Sequence, residues 1–152
     1  RFAGDGRLEG AIGRRGAGPG EFNFPTHVAL DRDGHLYVTD ALGYRVQHFS
    51  PDGSYAGHFG RHGDSSGDFA SPKGIGIDRE GHVYVVDALF DAVQIFDRRG
   101  QLLLAFGQRG VRRGQFWLPG GLFIDRQDRI YVADAYNRRI QVFQYLGDPG
   151  DG

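Results

Sequence analysis

Short runs of apolar residues, separated by turn-forming residues, recur along the whole chain. After Pro25 this pattern predicts four strands, at Thr26–Asp31, His35–Thr39, Tyr44–Phe49 and Ser54–Phe59. Gly, Pro and Asp residues stand at the turns between them, as expected for short antiparallel strands. No stretch keeps apolar residues at the three-and-four spacing of an amphipathic helix for long enough to predict one. The pattern therefore predicts an all-β protein.

The same pattern returns every 47 residues without insertion or deletion, as the prolines at 25, 72 and 119 show. Five further sets of residues keep this interval: Asp31, Asp78 and Asp125; Tyr37, Tyr84 and Tyr131; Asp40, Asp87 and Asp134; Gln47, Gln94 and Gln141; Phe49, Phe96 and Phe143. A period of this length is typical of arrays whose units cannot bury their own faces. Four antiparallel strands per unit are typical of the blade of a β-propeller.

Three stretches resemble NHL repeats: Phe24–Asp31, Leu36–Asp40 and Ile130–Phe143. The third repeat keeps the Asn-x-Arg signature of that family at 137–139, whereas the other two depart from it at 43–45 and 90–92. The resemblance extends over nearly the whole chain. It implies a propeller that usually closes with six blades and mostly acts as a scaffold for protein, peptide or RNA, with enzymes in the minority.

Counting strands against the period predicts how the chain is divided. A strand D is predicted at 2–12, whole blades at 24–59 and 71–106, and strands A to C of a last blade at 118–143. The remaining tail, 144–152, is too short and too rich in Gly, Pro and Asp to form the missing strand D. We therefore expect the leading strand to complete the last blade, as propellers that share a strand do.

Three blades are too few to close a ring, because propellers have four to eight. An arc of three would expose two apolar faces and an unpaired strand edge. We expect a two-fold homodimer of six blades in which Gly6–Ile12 of each subunit completes the Pro119–Phe143 blade of the other. The alternative is that this chain is half of a longer one, and Arg1 in the place of an initiator Met indicates a processed or trimmed chain.

Composition narrows the possible partners. The net charge of −1 gives no general attraction to nucleic acid or anionic membranes, and no apolar run reaches the about 18 residues of a membrane span. The absence of cysteine excludes disulfides, thiolate metal sites and a cysteine nucleophile, and it indicates no particular compartment. No cofactor is expected.

The aspartates that end strand B are expected to hold the B–C loop. Arg45 and Arg139 follow Asp40 and Asp134 by five residues, so each pair can form a charge-assisted hydrogen bond. Ala92 replaces the arginine after Asp87. Asp87 is thus either structural, solvated, or a contact for a ligand or metal.

The B–C loops and the D–A connections of a four-stranded meander emerge on the same side, and NHL-type propellers usually bind there. The candidate binding residues on this side combine apolar, aromatic and arginine side chains, as interface hot spots do. They are Leu42, Tyr44, Leu89, Phe90 and Tyr136 in the B–C loops, and Arg61, Arg109, Arg112 and Arg113 in the D–A connections. The alternative is that the apolar members pack on neighbouring blades while the arginines are merely solvated.

His27 stands where the other repeats have Gly74 and Gly121, and we expect it near the central channel. No catalytic or metal motif is recognisable, so no catalytic or metal-binding residue is predicted. The sequence favours a non-enzymatic scaffold that binds a protein or peptide. The alternatives are an RNA-binding module, for which Arg109, Arg112 and Arg113 are the candidates, and a lyase or hydrolase with its site at the central channel.

Overall fold

The computed structural model describes residues 4–146, which form strands and turns and no helix. The strands are β1 (Arg14–Arg15), β2 (Glu21–Phe22), β3 (Pro25–Leu30), β4 (Leu36–Asp40), β5 (Arg45–Phe49), β6 (Tyr55–Phe59), β7 (Pro72–Ile77), β8 (Val83–Asp87), β9 (Ala92–Phe96), β10 (Leu102–Phe106), β11 (Leu122–Ile124), β12 (Arg129–Asp134) and β13 (Arg139–Gln144). This confirms the all-β prediction, and the observed bounds of the first blade lie within one residue of the predicted ones.

Three antiparallel sheets correspond to the three repeats. β3 to β6 form the first, β7 to β10 the second, and β11 to β13 the third, each in chain order. We call these sheets blades 1, 2 and 3 and keep the letters A to D for the strand order within a blade. Blade 2 packs between the other two, and a hydrogen bond from Gly74 N to Gly120 O (2.8 Å) joins β7 to the segment just before β11.

The core lies between the blades rather than within any one of them. One apolar cluster, with Tyr37, Val46 and Phe96 among its members, fills the junction of blades 1 and 2. A second cluster, which includes Tyr84 and Val132, fills the junction of blades 2 and 3. Each junction therefore buries an apolar face of one sheet against its neighbour, as expected for a repeat array. A smaller third cluster, Phe22, Val38 and Phe49, lies where the connection before blade 1 covers that blade.

One glycine per repeat allows a phenylalanine ring to cover the end of strand D. Gly13, Gly60 and Gly107 all have φ between 86° and 97°. A side chain at any of them would also run into the ring of Phe22, Phe69 or Phe116, which lies within 2.6 Å of the Cβ position. Only glycine combines this backbone conformation with the close approach of the ring.

The predicted leading strand is not formed in the described residues. Residues 4–13 contain turns and a single bridging residue, Leu8, and residues 1–3 lie outside the described part of the chain. A strand needs a neighbouring strand, and the sheet that this one is predicted to complete belongs to a second copy. Ile12 nevertheless lies where the repeat places it: it packs on Gly53 of blade 1, just as Phe59 packs on Gly100 of blade 2.

At the two ends of the arc, apolar residues are exposed whose counterparts in the neighbouring blades are buried. On blade 3, Ile140 is 62% exposed, whereas the corresponding Val46 and Val93 are 0% exposed. On blade 1, Val28 is 65% exposed, whereas the corresponding Ile75 of blade 2 is 5% exposed. The predicted tail, 144–152, is described only as far as Leu146.

Candidate binding surface

The B–C loops and the D–A connections lie on the same side of the blades, as predicted. In blade 1, Ala41 N donates to Phe24 O (2.9 Å), and the Asn23 side-chain amide donates to Leu42 O (3.1 Å). The corresponding backbone bond in blade 2 runs from Ala88 N to Ser71 O. We call this side of the molecule the loop side.

Each B–C loop turns through one residue with positive φ. Tyr44, Asp91 and Arg138 occupy this place with φ of 53°, 52° and 56°. Two positions earlier, the same turn points a large side chain into solvent in every repeat. Leu42, Leu89 and Tyr136 are 53%, 63% and 60% exposed. The repeat therefore presents three exposed apolar or aromatic side chains at equivalent positions on the loop side.

The aspartates at the end of strand B are fully buried and hold these loops in place. Asp40 accepts hydrogen bonds from the backbone N–H groups of Asn23 and Phe24 and pairs with Arg45 at 3.2 Å. Arg139 pairs with Asp134 at 2.7 Å. The two predicted Asp–Arg pairs are thus confirmed.

Asp134 shows most clearly how these hydrogen bonds affect the pKa of a buried carboxyl group. Burial alone would raise the pKa of its carboxyl group. The hydrogen bonds donated by Trp117 N and by the side chains of Asn137, Arg139 and Gln141 instead hold that pKa below its ordinary value. The carboxylate stays ionised as the acceptor that connects the loop to the blade.

Asp87 performs the same task without an arginine. Its two oxygens accept hydrogen bonds from the backbone N–H groups of Ala70, Ser71, Leu89 and Phe90. The side chain is 0% exposed. Because Asp87 lies inside the blade with its oxygens occupied by the loops, it is not available for a surface contact with a ligand or metal, and the prediction of such a contact is corrected.

A glutamine on strand C attaches each D–A connection to the next blade. Gln94 accepts a hydrogen bond from Gly67 N (3.1 Å) and donates one to Asp68 O (2.9 Å). Gln47 and Gln141 make the corresponding pairs of bonds in their own repeats. The connections are therefore fixed platforms for the residues they carry.

The third repeat builds a stack of three side chains on this platform. The guanidinium of Arg109 lies 5.3 Å from the ring centroid of Trp117, whose ring is 4.4 Å from that of Tyr136. Tyr136 and Arg109 are both exposed. The structure thus brings two of the predicted residues together through a third, Trp117, that the sequence pattern did not single out.

A sequence signal for Trp117 did exist. It is the only tryptophan of the chain, and the corresponding residues of the other repeats are Asn23 and Ala70. The other repeats have a small or polar residue at this position of the D–A connection, so the repeat itself does not need a large aromatic side chain there. It is therefore a candidate for a specific role.

The other predicted loop residues are placed less favourably for binding. Tyr44 is half-buried and packs against the junction of blades 1 and 2, and its ring lies 4.3 Å from that of His62 at an angle of 53°. Phe90 is also half-buried. For Tyr44, packing on the neighbouring structure accounts for the apolar side chain.

The arginines differ in what they contact. Arg61 is exposed and pairs with Asp68 at 2.9 Å. Arg112 and Arg113 are both exposed, and the Arg112 carbonyl accepts a hydrogen bond from Arg139. The D–A connection of the third repeat therefore carries three exposed arginines, at 109, 112 and 113.

His27 lies on the inner strand β3, opposite Thr39 of β4. Its Nδ1 atom and the Oγ1 atom of Thr39 are buried and have no hydrogen-bond partner among the described residues. Burial, and secondarily the charge of Lys73, lower the pKa of His27 below the ordinary 6.5. His27 is therefore neutral at neutral pH, and its ring nitrogens are suited to hydrogen bonding rather than to charge pairing.

A group of potential metal ligands occurs on the opposite side, in the A–B turn of the first repeat. Ligand atoms of Asp31, Asp33 and His35 lie within 4.8 Å of one another. In the third repeat, Arg129 takes the place of the histidine and donates to Asp125 at 2.7 Å. An arginine cannot bind a metal, so the repeat uses this position to supply a hydrogen-bond donor to the turn aspartate.

No helix of the described residues is long and apolar enough to span a membrane. This finding agrees with the short apolar runs of the sequence.

Comparison with known proteins gives a family match and a fold. A model of the NHL repeat matches residues 22–49 and 116–143, which contain parts of the first and third repeats. No curated protein sequence matches the chain. The two matched segments include Trp117, Tyr136 and the B–C loops of blades 1 and 3.

Three of the solved structures that are similar to this chain are larger proteins named as enzymes. A gluconolactonase from Xanthomonas campestris has a TM-score of 0.65 and 23% identity over 95% of this chain and 50% of its own. Virginiamycin B lyase from Staphylococcus aureus has a TM-score of 0.59 and 12% identity over 97% and 48%. Hydrazine synthase from Kuenenia stuttgartiensis has a TM-score of 0.57 and 17% identity over 93% and 40%.

The chain thus spans half or less of the length of these structures. At such identities the similarity concerns the fold alone. Together with the family match, it confirms the resemblance and the fold class inferred from the sequence. Two segments of the chain match the NHL repeat, and the chain folds as part of a β-propeller.

Proposed function

We propose that the protein is a non-enzymatic scaffold that binds a protein or peptide on its loop side. The observation that mainly supports this proposal is the exposure of three large side chains at equivalent positions in the B–C loops, Leu42, Leu89 and Tyr136. Burying such side chains is the main source of affinity at protein interfaces, and aromatic and arginine residues are enriched among the strongest contacts.

The proposal includes assembly of two copies into a six-bladed ring that shares strands between subunits. The apolar residues exposed at the two ends of the arc support this part, because the corresponding positions inside the arc are covered. The alternative assembly, in which the same faces meet the rest of a longer chain, would bury the same residues.

A selection of displayed random peptides tests the loop-side surface and needs no identified partner. Peptides would be selected on the wild-type protein, and their dissociation constants would be measured by calorimetry. We expect Leu89→Ala and Tyr136→Ala each to weaken binding at least about tenfold, the equivalent of about 1.4 kcal/mol. Leu103→Ala is the matched control, because Leu103 is 51% exposed on strand D of blade 2.

Peptides that bind all four proteins equally would contradict this proposal. Loss of folding in Leu89→Ala or Tyr136→Ala, judged by circular dichroism, would instead assign these side chains to packing.

RNA binding is a second candidate function, favoured by one observation. The stack of Arg109, Trp117 and Tyr136 lies beside Arg112 and Arg113. Aromatic and guanidinium planes are surfaces on which unpaired bases stack. If RNA is the ligand, filter binding of a single-stranded oligonucleotide should weaken steeply with salt and should be lost in Trp117→Ala.

The names of the similar structures make an enzyme the further alternative. An enzyme site at the central channel would require His27 and residues of a neighbouring subunit or missing half. Metal analysis of the purified protein and lactonase and lyase assays test this alternative, and a near-stoichiometric metal ion or turnover that His27→Ala abolishes would support it.

A further inference from the structure

The D–A connection that leads into blade 3 differs from the two earlier ones in its charges. In those two, Arg14 pairs with Glu21 and Arg61 pairs with Asp68, both at 2.9 Å. In the third connection, glutamine replaces both the arginine and the acid of this pair. Arginines stand instead at three other places, Arg109, Arg112 and Arg113. The third repeat thus gives up an internal ion pair and gains three positive charges with no acid in the same segment.

These charges are not used by the fold. Arg112, Arg113 and Arg138 of the adjoining B–C loop are exposed, and within residues 4–146 their guanidinium groups form no ion pair and no hydrogen bond. Arg109 is also exposed, and its guanidinium contacts the ring of Trp117. We call these four arginines, with the rings of Trp117 and Tyr136, the arginine surface.

The acidic side chains that touch this part of the chain are buried and already occupied. Asp91 is 5% exposed and accepts a hydrogen bond from Leu118 N (2.7 Å). Asp134 lies inside blade 3 and pairs with Arg139. The exposed arginines therefore present their charge to solvent rather than to a carboxylate of the described chain.

The backbone under the arginine surface is held in place. The Asn137 side-chain amide donates to Gly110 O (2.8 Å), and Tyr136 N donates to Trp117 O (3.1 Å). The guanidinium of Arg139 donates to the carbonyl oxygens of Val111 and Arg112. A ligand would therefore meet a fixed loop, which lowers the entropic cost of binding.

The positive charge is limited to one repeat, and this limits the size of the ligand. The connection before blade 2 carries an exposed acid, Asp64, and the chain as a whole has a net charge of −1. The B–C loop of blade 2, which Leu118 N joins through Asp91, exposes the apolar Leu89. A long polyanion such as RNA would run from the arginines onto acidic and apolar positions. A short peptide needs only the charges of the third repeat.

We infer that the partner of the loop side is a peptide segment in which acidic residues flank an apolar one. Its carboxylates bind the arginine surface, and its apolar residue packs on the exposed ring of Tyr136. The inference rests on the proposed function and names the chemistry of the partner. Guanidinium groups bind carboxylates through paired, charge-assisted hydrogen bonds, and complementary charge selects one partner over another.

Two short fluorescent peptides test the charge preference. They differ only in the residues on both sides of a central leucine, which are glutamates in one and glutamines in the other. We expect fluorescence anisotropy to show that the glutamate peptide binds at least about tenfold more tightly. Its binding should weaken as salt is raised, because exposed charges are screened. Equal affinities for the two peptides would overturn the inference.

Arginine variants test whether the preference belongs to this surface. We expect Arg112→Gln combined with Arg113→Gln to reduce the preference at least about tenfold. The matched control is Arg32→Gln combined with Arg126→Gln, since these arginines are exposed in A–B turns on the opposite side and have no ion pair in the described structure either. Both double variants should keep the wild-type circular dichroism spectrum. A preference that survives in the first variant, or that falls equally in the control, would overturn the inference.

Reversing the charges gives the sharpest test. Arg112→Glu combined with Arg113→Glu should prefer a third peptide in which lysines replace the glutamates. If this variant still prefers the glutamate peptide, the arginine surface does not select the partner. A single-stranded oligonucleotide that binds the wild type more tightly than the glutamate peptide and displaces it would make RNA the ligand and would also overturn the inference.

The inference and the proposed function can fail separately. Selected random peptides that depend on Leu89 and Tyr136 but contain no excess of acidic residues would keep the loop-side scaffold and remove the preference for acids. Binding of the glutamate peptide that needs Arg112 and Arg113 but is unchanged in Leu89→Ala and Tyr136→Ala would keep the charge preference and remove the apolar contacts of the proposed function.

Discussion

At the scale of single residues, the buried aspartates that end strand B connect loops that are distant in sequence. Each carboxylate collects hydrogen bonds from two chain segments that meet on the loop side, and each is 0% exposed. Asp87 does so with backbone donors alone. A charge held by backbone N–H groups needs no cation nearby, in the same way that a carboxylate at a helix N-terminus is stabilised.

Replacing Asp87 should therefore destabilise the protein strongly. We expect Asp87→Ala to lower the free energy of unfolding by about 3 kcal/mol, because four backbone N–H groups lose their buried acceptor. Urea denaturation at a fixed protein concentration measures this change. Asp64→Ala, at an exposed position in a D–A connection, should change stability by less than about 0.5 kcal/mol. Equal effects of the two substitutions would contradict the structural role of Asp87.

The buried His48 leads to a second prediction, which concerns how the stability of the fold depends on pH. Its Nδ1 is buried without a described partner, and burial, with a contribution from His35, lowers its pKa below the ordinary 6.5. The unfolded chain therefore binds this proton more readily than the folded one, so stability is complete above pH 6.5 and falls as the pH drops below it. Nearby Asp31 acts in the opposite direction and His58 in the same direction as burial.

The test replaces His48 by the residue that the second repeat uses, Ile95. We expect His48→Ile to lose less stability than the wild type between about pH 7.5 and about pH 5, as measured by urea midpoints at each pH. His27 remains in both proteins, so its own contribution cancels in the comparison. An identical loss in both proteins would show that His48 titrates normally.

At the scale of the element, the glutamine of strand C attaches a whole D–A connection through one side chain. Gln94 is 4% exposed and bonds to both Gly67 and Asp68. The connection it holds carries Arg61 and His62 to the loop side. Its order therefore depends on a residue that lies 26 or more positions away in the sequence.

We expect Gln94→Ala to lower the free energy of unfolding by about 2 kcal/mol and to speed hydrogen exchange across residues 61–70. Gln101→Ala, at an exposed position after the C–D turn of the same blade, should do neither. If exchange in this connection stays unchanged in Gln94→Ala, the connection is held by other contacts.

The strands of the three blades and their order were predictable from the sequence because period and turn residues agree in every repeat, whereas the predicted leading strand is not formed in the described residues. The same reasoning located the loop side and the Asp40–Arg45 and Asp134–Arg139 pairs. It could not predict the role of Asp87, since the hydrogen-bond partners of Asp87 are backbone N–H groups, which almost every residue type carries. It also missed Trp117, because a stack between a loop and a connection depends on how the two backbones approach.

At the scale of the whole molecule, the arc has two different ends. Blade 1 exposes Val28 and Leu30, and blade 3 exposes Phe123, Ile140 and Val142. A ring of two copies would contain two identical junctions, each between a blade 3 and a blade 1. Each junction would therefore repeat the contact that already joins blades 1 and 2.

A mixing experiment follows from this difference. Val28→Asp and Ile140→Asp should each fold, because both side chains are more than half exposed, and each should be monomeric because both of its junctions contain one charge. A mixture of the two should associate about tenfold or more tightly than either alone, since one of its two junctions is unaltered. Sedimentation at several concentrations measures this.

If mixing the two variants does not restore association, the result would contradict a junction between unlike ends. Dimers of either variant alone that match the wild type would show that these faces do not take part in association.

If the unlike ends do bind each other, the protein could also form polymers. Head-to-tail units close into a ring only when the turn per unit divides the full circle, and otherwise they continue as a helical fibre. The wedge between blades, set by close contacts such as that of Gly74 with Gly120, therefore determines whether the product has a finite size. A Cβ at Gly74 would lie 2.5 Å from Leu122 N, so a bulkier residue there would open the wedge and favour filaments that lengthen with concentration.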